Sequence, residues 1–131
     1  MKLSKKITAM KAATLVSSLL LTGIGFSAPI DKEAISMRCE MVYNTLDKLF
    51  EENVSTPCAF DVQYAGWVMK GAANLVRTER YPQALKNLRI VEGNLKEIHS
   101  RTQDCAYFSA KVVPSLNEVN RLITELKTTP N

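Results

Sequence analysis

The sequence predicts an all-α protein: a single up-down-up-down four-helix bundle with one disulfide, preceded by a cleaved export signal. Three observations predict it. Apolar residues recur at spacings of 4 and 3 over four successive segments, which marks one face of a helix each time. Short polar or proline-containing breaks separate the segments, and short connections make sequential helices antiparallel neighbours. Strand-type alternation is weak throughout the 131 residues.

The leader comes first. Lys2, Lys5, Lys6 and Lys11 precede every acidic residue. An apolar run from Ala12 to Phe26 follows, and small residues come next in Ser27-Ala28 before Pro29. A basic region, a short apolar region and a small-residue cleavage site make a bacterial-type secretory signal peptide over residues 1–27, leaving 28–131 as one helical domain. The expected location is therefore the periplasm or the exterior. Removing the leader changes the charge argument. Seventeen Lys and Arg stand against thirteen Asp and Glu; four of the lysines fall in the leader, so the remainder carries thirteen of each and no net charge. The apparent basicity belongs to export, and nucleic acid is not an expected partner.

The first helix is expected from about residue 31 to 52, with Ile35, Cys39, Val42, Leu46 and Leu49 on its inner face. Asp31 and Glu33 sit where the helix dipole favours negative charge. The second is expected over about 57–80, with Thr56 as its cap and Pro57 in its first turn. Phe60, Tyr64, Trp67, Val68, Gly71 and Leu75 are its expected buried stripe. Gly71 costs about 1 kcal/mol in helix propensity, which a closely approaching backbone would explain. The third spans about 82–102 behind Pro82, with Ala84, Leu88, Val91, Leu95 and Ile98 inward. The fourth spans about 105–127, capped by Asp104, with Cys105, Phe108, Val112, Leu116, Val119, Ile123 and Leu126 inward. Pro114 is expected to kink this helix, because the stripe stays in phase across it. Residues 128–131 are expected to fray.

Trp67, Gly71, Tyr81, Ala84, Leu85 and Leu88 give the second and third segments the look of a helical hairpin. They resemble a single tetratricopeptide-type unit, with a one-residue slip between the halves and no second copy in the chain. The resemblance implies a tight antiparallel pair and no family membership.

Three cysteines follow the leader. The starts of the second and fourth helices share one end of an antiparallel bundle, which pairs Cys58 with Cys105. Cys39 lies about 20 Å along the axis from that end, at ~1.5 Å per residue, and is left as a free thiol. On the apolar stripe it reads as a small buried hydrophobe. An intermolecular bridge is the alternative.

The candidate sites are surfaces rather than reaction centres. Arg77, Arg80, Lys86 and Arg89 cluster around the turn between helices two and three, a candidate for an anionic lipid, membrane surface or phosphorylated ligand. Phe60, Tyr64 and Trp67, with Tyr107 and Phe108, make a candidate aromatic pocket, although aromatics at helical spacing are usually core. His99 is the only histidine. Paired with Met37 it would serve the remote haem alternative, by resemblance to small periplasmic four-helix cytochromes b. HExxH, GxSxG and phosphate-cradling glycine loops are absent, and no cofactor or metal is expected. The leading expectation is a non-enzymatic binding protein with a protein partner, possible host or envelope targets included; the runner-up binds an anionic ligand through the basic turn.

Overall fold

A computed structural model describes residues 30–128. The signal-peptide assignment and the last three residues of the tail lie outside the described residues. Four helices are present among those described: α1 (Lys32–Glu52), α2 (Ala59–Arg77), α3 (Tyr81–Ser100) and α4 (Val113–Lys127). Each packs on the next, α4 returns to α1, and the diagonal pairs do not touch. That is the ring expected of an up-down-up-down bundle. The α1–α2 pair makes the most extensive contact and α4–α1 the slightest.

Local chemistry sets the helix ends. Asp31 caps α1, its carboxylate accepting from the Ala34 amide at 3.1 Å. Proline opens both α3 and α4, where its missing N–H breaks no ladder bond. The cap expected at Thr56 is absent. The Thr56 hydroxyl instead donates to the Asn53 carbonyl at 2.8 Å, and α2 starts after Cys58, which adopts φ 75°. Thr56 and Pro57 are thus consumed by the turn.

The fourth helix begins later than expected. Residues 102–112 form successive turns, and α4 opens at Val113 with Pro114 in its first turn. A proline cannot donate to the fourth preceding carbonyl, and its ring crowds that carbonyl, so the chain starts a helix here rather than bending one. Asp104 consequently caps nothing and lies 3.6 Å from Arg101. The inward stripe still holds, because Cys105, Phe108 and Val112 are buried from the turns and Leu116, Val119, Ile123 and Leu126 from the helix.

The core stripes of α1 and α3 are as the spacing predicts. Ile35, Cys39, Val42 and Leu46 are buried, Leu49 is half-buried, and Ala84, Leu88, Val91, Leu95 and Ile98 are all buried. The stripe of α2 is not as predicted. Its buried line is Ala59, Val62, Ala65, Gly66, Met69, Ala72, Ala73 and Val76. These small residues let α1 and α2 approach closely: a Cβ on Gly66 would stand 3.5 Å from Leu46 Cβ and 3.7 Å from the Tyr43 carbonyl. Gly71, for which a neighbouring backbone was expected, meets a side chain instead, with Asn87 Nδ2 3.1 Å from where its Cβ would lie.

Cys58 and Cys105 are bridged, their Cα atoms 5.5 Å apart, which ties the start of α2 to the turns before α4. Cys39 is free and buried.

Candidate interaction surface

Because α2 buries its small residues, its large ones turn outward. Phe60, Tyr64 and Trp67 are 69%, 49% and 57% exposed. At 100° per residue the three fall within a narrow arc opposite the buried line. They therefore leave the core to which sequence spacing assigned them, and stand as a ladder along the outer face of α2. Phe60 leans on Phe50 at the end of α1, ring centroids 5.5 Å apart. Tyr64 forms one wall of a small cleft, about 100 Å³, with Asp61, Asn94, Glu97 and Arg101 around it. The other two members of the expected pocket do not join them. Phe108 is fully buried, and Tyr107 packs edge-on against it while donating from its hydroxyl to Glu52 at 3.1 Å. That hydrogen bond holds the Tyr107 phenol above its ordinary range.

The register between α2 and α3 is set by Asn87, whose amide donates to the Val68 carbonyl at 3.3 Å. This level, with the Tyr64–Asn94 cleft, places Ile90 beside Trp67 along the axis. Ile90 is also exposed, at 40%, and the sequence reading missed it. Its signal was present: it falls outside the 84-88-91-95-98 line, so a helix with that core must show it to solvent.

The basic group divides. Arg77 reaches across to α1 and bonds Glu40 at 2.7 Å, so its charge is already matched. Glu79, beside it in the turn, is matched by Lys32 at 2.6 Å, and this hydrogen bond lowers the carboxyl below its usual range. Arg80, Lys86 and Arg89 are exposed, and their side chains have no hydrogen-bond or ionic partner among the described residues. Asp61 is likewise exposed and unpaired. Arg77 thus has its charge matched within the bundle, and the other three do not.

His99 is exposed at the end of α3 and faces the 102–112 turns. Its Nδ1 lies 2.8 Å from the Ser109 carbonyl; a carbonyl only accepts, so Nδ1 carries the hydrogen. Ser109 returns the bond, donating from Oγ to the His99 carbonyl at 2.6 Å. Met37 is exposed on the outside of α1, a helix that does not touch α3. The pair named for haem is not brought together.

A second feature lies on the α1–α4 seam. A shallow groove of about 330 Å³ runs between Met41 and Thr45 of α1 and Pro114, Ser115 and Glu118 of α4; a second, of about 460 Å³, shares Met41 and Thr45 and is lined by α1 alone. Arg38 crosses the seam, with Nε 2.7 Å from Glu118 and Nη1 2.9 Å from Glu125. The Arg38 hydrogen bond, helped by Arg121, holds Glu118 below the ordinary carboxyl value. Among the described residues no three His, Cys, Asp or Glu side chains gather as metal ligands, and no helix is long and apolar enough to cross a membrane.

Comparison with known proteins gives no further handle: no family model, curated protein or solved structure matches the chain.

Proposed function

We propose that this is an exported, non-enzymatic interaction protein that recognises a protein partner through the outer face of α2. One observation carries the reading: Phe60, Tyr64 and Trp67 stand in a row on the surface while the same helix buries alanines. Soluble proteins rarely expose aligned large aromatics without use, and tyrosine and tryptophan are the residues most enriched at contact hot spots. The leader pattern and the Cys58–Cys105 bridge support export, since structural disulfides belong to oxidising compartments. The scatter of the chemistry-bearing side chains supports a binding role over a catalytic one.

A photo-crosslinking residue at position 67, expressed with its own leader, tests this. An adduct of defined mass in the exported fraction is expected from position 67, with none from a control at exposed Asn117 on α4. Equal labelling from both positions, or from neither, would sink the reading.

One observation favours a second reading, an anionic ligand at the α2–α3 turn: Arg80, Lys86 and Arg89 lack partners. Flotation with phosphatidylglycerol vesicles, compared between the wild type and Arg80→Ala/Lys86→Ala/Arg89→Ala, decides it. Salt-sensitive binding lost in the triple variant supports it; binding that is absent, or unchanged by the substitutions, removes it.

A further inference from the structure

We infer that the occupant of the α2 face is a second copy of this chain, packed antiparallel about a twofold axis near Trp67. The inference rests on the proposed reading of that face and names its partner.

Spacing is the first argument. Phe60, Tyr64, Trp67, Gly71 and Asn74 recur at 4, 3, 4 and 3 along the outside of α2. That is the seam by which one helix packs on another, and here it is a second seam on a helix whose first is already used.

Size is the second. Reversing this row about Trp67 sets Tyr64 against Gly71 and Phe60 against Asn74, with Trp67 meeting its own copy. Large residues face smaller ones at each step away from the axis, Tyr64 meeting the Asn87 amide that covers Gly71, so the row is complementary to itself only when antiparallel. Ile90, level with Trp67, falls beside the axis.

Charge is the third, and it selects the occupant. The Phe60 end of the row is flanked by Asp61 and by Glu97, which share the Tyr64 cleft. The Gly71 end is flanked, one residue before Asn87, by Lys86, while Lys70 turns away to lie over the Tyr43 ring of α1. A twofold axis in the contact plane and perpendicular to α2 keeps α3 above α3 while reversing both. Asp61 lies six positions from Trp67, about 9 Å at ~1.5 Å per residue. Lys86 lies level with Gly71, about 6 Å on the opposite side, and a lysine side chain spans the difference. Asp61 of each copy then meets Lys86 of the other, as an isologous interface requires. Neither has a partner among the described residues. A parallel pair would need its axis along α2, which carries α3 to opposite sides of the contact and leaves Asp61 and Lys86 unmatched. A flat anionic bilayer would press Asp61 and Glu97 toward phosphates whenever Phe60 was inserted.

Sedimentation equilibrium on the oxidised, exported chain tests the inference, together with the fluorescence of Trp67, the only tryptophan. A reversible dimer is expected, with tryptophan emission moving to shorter wavelength as the dimer forms. Trp67→Ala should weaken it at least about tenfold. Asp61→Lys and Lys86→Asp should each weaken it, and the double exchange should restore it. A chain that stays monomeric to about 1 mM overturns the proposal, because association weaker than that is no specific contact. A dimer indifferent to all of these substitutions overturns it too, since it would use another face. The crosslinker at position 67 separates the two levels of argument. A self-adduct supports both, an adduct of foreign mass keeps the interaction role and overturns the second-copy inference, and no adduct removes both.

Discussion

Cys39 sits on the buried line of α1 with Ile35, Val42 and Leu46, and burial pushes its thiol up to about 12. A thiol held protonated is neither nucleophile nor disulfide partner. The native protein should therefore give no reaction with a thiol reagent at pH 8, and one equivalent once denatured. Reaction in the native state would revive the intermolecular bridge. Cys39→Ser would bury a hydroxyl without a ready partner, in a helix where Ser36 Oγ already lacks one; thermal melts should show a loss of about 1–3 kcal/mol. Glu118 gives a pH prediction. Arg38 lowers its folded pKa from 4.5, so the pair contributes stability above pH 4.5 that is lost as pH falls through the folded value. Denaturant melts of wild type and Arg38→Ala should converge as pH drops below 4.5, and a constant gap would refute the coupling. Cys39 was legible because a lone cysteine on a clean 4-3-4-3 line has only one place to go. The Arg38 contacts were not, because ion pairs between residues 80 and more apart in sequence have no local signal.

At the scale of elements, α1 and α3 were readable and α2 was not, for one reason. Helical periodicity says which residues share a face, and residue size was then used to decide which face is inside. In α2 those two guides disagree: the line Val62, Ala65, Met69, Ala72, Val76 has the same spacing as the aromatic row and fits a tight α1–α2 contact, whereas the aromatics would force the helices apart. The same disagreement is what made the candidate surface visible once the structure was known. Pro114 was misjudged differently. An inward stripe that stays in phase does not require an unbroken helix, because turns of nearly helical pitch bury Cys105, Phe108 and Val112 as well. Pro114→Ala should therefore cost less than about 1 kcal/mol, by loosening the unfolded chain and the first turn. A helix kinked at an interior proline would instead gain about 3 kcal/mol from the change. Chemical denaturation distinguishes these by sign and size. The disulfide was legible from topology alone. It spans 47 positions, so its removal in Cys58→Ala/Cys105→Ala should cost about 4 kcal/mol in the chain-entropy model.

Across the whole molecule, stability is unevenly shared around the ring. α1 and α2 interlock through Gly66 and a row of alanines, and α2 and α3 through a short turn whose Glu79 is held by Lys32. The α4–α1 side has the least contact, carries the smaller groove, and is spanned by Arg38 alone among the cross-seam ion pairs of the described residues. α4 is also the shortest helix, and the bridge anchors the turns before it rather than the helix itself. The bundle should therefore open from this seam first, with α4 leaving α1 while the other three helices stay packed. Hydrogen exchange followed by mass spectrometry should find amides of α4 exchanging before those of α2 and α3. Arg38→Ala removes a half-buried, two-carboxylate contact worth about 1 kcal/mol. Its loss should speed α4 exchange roughly fivefold, by that free energy, and leave α2 unchanged. Equal acceleration in every helix would mean that α4 opens only with the whole bundle. With acceleration confined to α4, the α2 face remains formed while the seam is open, because α1, α2 and α3 position it without help from α4.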